Sequence, residues 1–269
     1  MAEPSAWSPY AAVLASRMRA QLSYPTGFAL DVMGSLLIAV TEFGEVWVIF
    51  HNVHVLGGLT FDAVLVLFGL SNLGFGTADL LFGHLDTLPV FIRSGTLDAF
   101  YLRPLPVLTQ LMTSELDLRR IARMVVFAIT LVVGLRLSHV SWNLHNFALV
   151  TISVVFGTVI FCALFVCAAS LQFFLINAPE LTNSFTYGGS YASSQPAAIF
   201  PTPLKLLFGF LVPVVFTGYL PTLALLHLPG PELLPAWLAW LTPVAALWVW
   251  LVALVLWRWG TRHYQGGGG

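Results

Sequence analysis

The sequence predicts an all-α membrane protein with six transmembrane helices, and three observations carry that prediction. Of the 269 residues, 58% are hydrophobic and only 9% charged, against roughly 25% charged in an ordinary soluble domain, and the mean hydropathy is +0.87. The apolar residues fall into runs of about 20, the length that crosses a hydrocarbon core of roughly 30 Å. The basic residues are distributed on one side of those runs. A net charge of -1 provides no basic excess for nucleic acid, and 9 Trp and 21 Phe suit a bilayer and its interfaces.

The predicted spans are Phe28 to Phe50, Leu59 to Leu81, Ile121 to Val140, Phe147 to Phe174, Leu204 to Leu226 and Trp237 to Trp257. With the amino terminus inside, the inner segments hold Arg17, Arg19, Arg93, Arg103, Arg119, Arg120, Arg123, Lys205, Arg258 and Arg262, and the outer ones only Arg136. That asymmetry is what the positive-inside rule expects of six spans with both termini cytoplasmic. Pro213 and Pro221 in the fifth run remove backbone donors, so this span is expected to bend and its outer end to re-enter the membrane before the last span.

Ahead of the first span, residues 8–25 are helix-compatible. Ser8 can cap, Pro9 follows it, and Val13, Leu14, Met18 and Leu22 recur at helical spacing, with Arg17 and Arg19 able to reach headgroups. An interfacial helix is expected there, ended by Pro25 and Gly27. Met1 to Tyr24 lacks the basic front, apolar stretch and small-residue cleavage site of a signal peptide, so insertion is expected to rely on the internal spans. Between the fourth and fifth spans, "NAPELTNSFTYGGSYASSQPAAIFPTP" is polar and rich in Gly and Pro, and is expected to lie at the inner membrane face. Trp237 and Trp240 fit an aromatic belt at the start of the last span, and Gly266 to Gly269 read as a flexible tail.

The chain carries no phosphate-binding loop: its one lysine, Lys205, follows "AIFPTPL", which contains no glycine. H-E-x-x-H, C-x-x-C and G-x-S-x-G are also absent, and Cys162 and Cys167 read as packing residues on different faces of one helix. No catalytic residue and no metal ligand is assigned. Ionisable residues within spans are the functional candidates, because charge is costly in lipid. Glu42 and Glu45 share a helical face of the first span and Asp79 lies in the inner half of the second; they are read as the lining of a pathway, a subunit contact or an interfacial pair. "GLSNLGFGTAD" offers Gly69, Gly74 and Gly76 for close helix approach.

The longest charged interval, residues 93–123, leaves the membrane. In "GTLDAFYLRPLP", Gly95 frees the backbone, Asp98 suits a helix start, and Pro104 and Pro106 end the turn with Arg103 projecting from its corner. In the following "SELDLRRIAR", Glu115 with Arg119 and Asp117 with Arg120 are spaced to meet on a helix surface.

"GGLTFDAVLVLFGL" from Gly57, "GTLDAFYLRPLPVLTQL" from Gly95 and "LVPVVFTGYLPTLALL" from Leu211 resemble the type-2 ABC exporter permease family, in its bacterial six-span branch with a G-x-L-D…R-P signature. The likeness runs from about Phe28 to Trp257. The chain departs from the branch at Leu59 and Thr60, where members commonly carry Trp and Ser, and at Tyr101, where they carry Leu.

The resemblance implies a single permease domain over 1–269 with the type-2 exporter fold, sited in the cytoplasmic membrane. It implies partnership with two copies of an ATPase subunit, which hold the ATP and Mg, and with a second permease, identical or paralogous, among membrane lipids. It places the coupling to the ATPase on Gly95, Leu97, Asp98, Arg103 and Pro104. An amphipathic or lipid-like cargo is expected from a pathway with few charges. The rival readings are a scaffold or sensor subunit and an intramembrane lipid-modifying enzyme, for which no nucleophile and base stand at a recognisable spacing.

Overall fold

A computed structural model describes residues 15–16, 18–114, 117–175 and 179–264. Four helical stretches among these residues are long and apolar enough to cross a membrane: Pro25–Asn52, Phe61–Arg93, Leu144–Gln172 and Ala236–His263. A fifth candidate is the pair Thr202–Leu211 and Val214–Leu225, bent by 74°.

Helix α1 is Pro25–Asn52, with proline in its first turn, where the missing N–H costs nothing. Residues 18–22 before it are helical, and the chain breaks at Ser23 and Tyr24; most of the predicted interfacial helix lies outside the described residues. Helix α2, Phe61–Phe82, continues through a 3₁₀ turn, Gly83–Thr87, into α3, Leu88–Arg93. Two short helices follow, α4, Asp98–Tyr101, and α5, Val107–Ser114, and then α6, Arg119–Leu137. Four arginines in α6 keep it out of the apolar set, although it occupies the third predicted span. Helix α7, Leu144–Gln172, is capped by the Asn143 side chain, which accepts from Asn146 N–H at 2.7 Å.

Helix α2 packs closely against α6. A Cβ on Gly69 would stand 2.6 Å from Leu131 Cα, and one on Gly134 would stand 2.7 Å from Val66 N. Small residues here let two backbones meet, as apolar lipid offers no hydrophobic drive to hold helices together. The register runs antiparallel, with Gly134 beside Leu65 and Val66 and Gly76 beside Met124 and Phe127. On the other side of α2, Gly74 meets the backbone of Gly157 in α7.

The polar stretch after α7 behaves unlike the expectation. Helix α8, Pro179–Ser193, packs one face against α7 and α2, burying Thr186, Ser190 and Ser193, and leaves Phe185, Tyr187 and Tyr191 exposed on the other. The chain beyond it reaches the turn between α1 and α2, where a Cβ on Gly57 would stand 3.0 Å from Pro196 and Ile199 side-chain carbons. The segment therefore runs from one end of the bundle toward the other instead of lying on a face. It can do so because its hydroxyls meet partners within the protein, Ser193 with Ser71 among them.

Helix α9, Thr202–Leu206, passes into a π turn, Leu207–Leu211, and the chain breaks at Pro213 before a 3₁₀ turn and α10, Tyr219–Leu225. Pro213 has no N–H for the ladder, and Val212 N–H instead bonds Leu207 O at 2.7 Å. Pro221 breaks nothing, contrary to expectation: it sits in the first turn of α10, where no helical donor is lost. Gly218 seats this bend against α2, where a Cβ would stand 2.7 Å from Leu67 O. Helix α11, Thr242–His263, runs alongside α7, with the Trp240 ring before it tilted against His145 at 4.6 Å and Gly260 against Phe173.

Gly69→Ala and Gly134→Ala are each expected to lower stability by about 1–3 kcal/mol, since the new methyl meets backbone. Gly34→Ala in α1, where no atom lies within 4 Å, is expected to raise it by up to about 1 kcal/mol through helix propensity. Denaturation in mixed micelles measures all three.

Candidate functional site

Two regions gather chemistry outside the apolar core. The first is the turn after α3. Gly95 follows the end of α3 at φ +69, a left-handed conformation that glycine adopts without strain. Leu97 is wholly buried and roots the turn, with its N–H on Phe91 O at 3.2 Å. The Gln110 amide closes it from α5, donating to Phe100 O at 2.9 Å and Leu105 O at 2.8 Å. What projects is Leu102, 87% exposed, then Arg103 with its guanidinium 5.8 Å from the Phe100 ring centre, and Pro104.

The turn is also tied to the far end of the chain. Tyr264, just past α11, donates its hydroxyl to Asp98 Oδ1 at 2.8 Å and stacks on Tyr101 at 5.6 Å. Burial, the bond to Asp98 and the charge of that carboxylate push the Tyr264 phenol from 10.0 up to about 12. Burial and Asp98 raise Tyr101 as well.

The second region is a column of partnered carboxylates that runs from buried Asp79 to exposed Glu45. Arg120 of α6 reaches Asp79, bonding its carboxylate and, at 2.6 Å, its carbonyl. It passes over Gly83, where a Cβ would collide with its guanidinium. Arg123, one turn on, donates to Glu42 Oε1 of α1 at 2.9 Å. Two tyrosines of α8, four residues apart, complete the column: Tyr187 donates to Asp86 at 2.6 Å and Tyr191 to Glu45 at 2.7 Å. A cavity of about 450 Å³ opens at the Asp31, Asp79 and Arg119 end, and one of about 170 Å³ lies between Glu42, Glu45 and α8. Among the described residues no group of three His, Cys, Asp or Glu is placed to hold a metal ion.

Residues 36–268 match the family described as ABC-2 family transporter protein. The chain belongs to the ABC-2 transporter family. No curated protein and no solved structure matches it. An ABC-2 family chain is a membrane transport component, and its apolar helices are those of a multi-pass integral membrane protein.

In this ABC-2 chain the five residues read as a coupling site stand together in one turn but divide by role. Gly95 and Leu97 build the turn, Arg103 and Pro104 project from it, and Asp98 is engaged by the chain's own Tyr264. Glu42, Glu45 and Asp79 are not left as bare charges: each meets a donor from another helix. Asp117 meets Arg120 at 3.5 Å and Arg119 at 2.6 Å, whereas the pairing of Glu115 lies outside the described residues. Sequence reasoning missed Asp86, Tyr187, Tyr191 and Tyr264. The four-residue spacing of Tyr187 and Tyr191, with Ser190 and Ser194 between and beyond, was the available signal of a polar helix face.

Arg120→Ala is expected to cost about 3–5 kcal/mol, since it strands Asp79, whereas Arg119→Ala, which removes a half-exposed side chain paired with Asp117 at 2.6 Å and with exposed Asp31 at 3.7 Å, is expected to cost about 1 kcal/mol or less. Denaturation of both variants in the same micelles checks the contrast. The Tyr264 phenol binds its proton more tightly in the folded chain than when free, so its contribution is complete below pH 10, and is lost as pH rises through about 12. Ultraviolet titration of wild type against Tyr264→Phe should show that late-ionising phenol disappear. A spin label at Leu102 should gain mobility in the same variant.

Proposed function

We propose that the chain is the membrane-spanning permease subunit of an ATP-driven exporter, and that the turn from Asp98 to Pro106 is where it meets a separate ATPase. The observation that carries this is the turn itself. Its base is buried at Leu97 and clamped by Gln110, while Leu102 stands 87% exposed at its tip. A braced turn that holds an apolar tip beside Arg103 offers a partner protein a preformed contact. As the chain has no phosphate loop, the hydrolysis of ATP with Mg falls to the partner, in two copies, and a second permease subunit completes the pathway.

The membrane path we infer has six crossings with both termini cytoplasmic. They are α1, α2, α6, α7, α8 and the stretch ending in α11, and the bent pair around Pro213 is a re-entrant hairpin entered from outside. The end of α8 at the Gly57 turn supports this order. It moves Lys205 beside Arg136 to the outer side and leaves the remaining basic residues inside, so the charge asymmetry still holds. The cargo is amphipathic, and it leaves the cytoplasmic side by alternating access.

With Cys162 and Cys167 replaced by alanine, a cysteine at Leu102 treated with a short bifunctional crosslinker in native membranes should capture a polypeptide bearing a phosphate-binding loop, identified by mass spectrometry. Arg103→Ala should weaken that capture and lower the ATPase activity of the assembled complex. A complex that forms and hydrolyses ATP normally with Leu102 uncrosslinked and Arg103 replaced would overturn the assignment.

A further inference from the structure

We propose that the cavity between α1, α2, α6 and α8 holds the cationic head of an amphipathic organic ammonium compound. This deepens the permease reading, on which it rests, by naming the head-group chemistry of the cargo. The cavity measures about 170 Å³, and its wall joins the carboxylates Glu42 and Glu45 to the rings of Phe68, Phe75, Tyr187 and Tyr191, with neutral polar side chains of α2 and α8 between them. Arg123 is the one cation on its wall.

The charges do not balance within that wall. Arg123 engages Glu42 Oε1, while Glu42 Oε2 is buried with no hydrogen-bond partner among the described residues. Glu45 takes a hydroxyl from Tyr191, a neutral donor. Arg123 Nε is also buried without a hydrogen bond, and its guanidinium carbon lies 5.8 Å from the Phe127 ring centre, outside the cavity. Two carboxylates thus face one guanidinium at this cavity, Glu42 half-buried within it and Glu45 at its open edge beside the exposed Tyr191, and the wall supplies no second cation to match them.

A cation of matching kind restores the balance. A hard metal ion calls for six or more oxygen ligands, and among the described residues no group of three His, Cys, Asp or Glu converges to anchor one here. An alkylammonium spreads its charge over C–H groups, which aromatic faces receive while a carboxylate sets the sign. The volume is below the roughly 300 Å³ of a pocket that encloses a whole drug-sized ligand, so a head group enters and its apolar tail stays in the bilayer, beside the exposed Trp47 and Val48 of α1.

Radiolabelled hexyltrimethylammonium, equilibrated with the intact complex in lipid nanodiscs, tests the site. Saturable binding is expected, competed by unlabelled probe and not by hexan-1-ol or hexyl sulfate. Glu45→Gln should weaken it by about tenfold or more, and Glu232→Gln, outside the cavity, should leave it unchanged. Tyr191→Phe, which keeps the ring, should retain binding, and Tyr191→Leu should lose most of it. Absence of saturable binding, equal binding by Glu45→Gln, or competition by hexan-1-ol overturns the proposal. The same preparations carry the Leu102 crosslink. ATPase capture without ammonium binding rejects the site alone, and ammonium binding without capture rejects the ATPase partnership and keeps the site.

Discussion

The arrangement depends on one constraint: a carboxylate inside a helix bundle must be given a donor by a neighbouring helix. Arg120 meets that demand for Asp79, and can do so because Gly83 leaves its guanidinium room to pass. The same close seam between α2 and α6, made by Gly69 and Gly134, sets the height at which the α6 arginines arrive. One turn further along, Arg123 finds Glu42 on α1, and at the start of the helix Arg119 meets Asp31. A single helix thereby ties its two neighbours, and its arginines act as cross-braces as much as signals of orientation.

Helix α8 answers the same constraint from the other side with phenols. Tyr187 and Tyr191 satisfy Asp86 and Glu45 without bringing further charge into the bundle. On its buried side Ser193 meets Ser71, which in turn lies 3.4 Å from Thr217 at the bend after Pro213. The two faces of α8 therefore join the carboxylate column to the bent segment.

This is also where the sequence was hardest to read. Hydropathy averages over all faces of a helix, and α8 divides its own: Thr186, Ser190 and Ser193 are buried against other helices while Phe185, Tyr187 and Tyr191 are exposed, so a stretch polar on average still runs along the bundle. The glycines of α2 were legible, because small residues spaced along an apolar run have little use other than close approach. Pro213 was legible for its missing donor, while Pro221 misled because its effect depends on where the helix begins. The arginines of α6 were read as markers of the inner side, but a long side chain can start near an interface and end well inside. Asp98 is expected to meet another protein, and it also accepts a hydrogen bond from Tyr264, 166 residues away along the chain, a separation no local pattern announces.

That last contact bears on how a push at the turn would travel. The segment from Gly83 to Ser114 is held at two points by phenol–carboxylate bonds, Asp86 to Tyr187 on α8 and Asp98 to Tyr264 beyond α11. Between them the turn is stiff, since Leu97 is buried and Gln110 bonds two carbonyls of the loop. A force on Leu102 cannot be absorbed by the turn and must move one or both anchors. A phenol hydroxyl rotates about its ring bond and a carboxylate offers several lone pairs, so such a bond follows small displacements without breaking, unlike a bidentate ion pair. On the proposed function, work delivered at the tip reaches α8, which borders the cavity at Glu45, and α11 together, while the Arg120–Asp79 brace keeps α2 and α6 as the fixed frame against which they move.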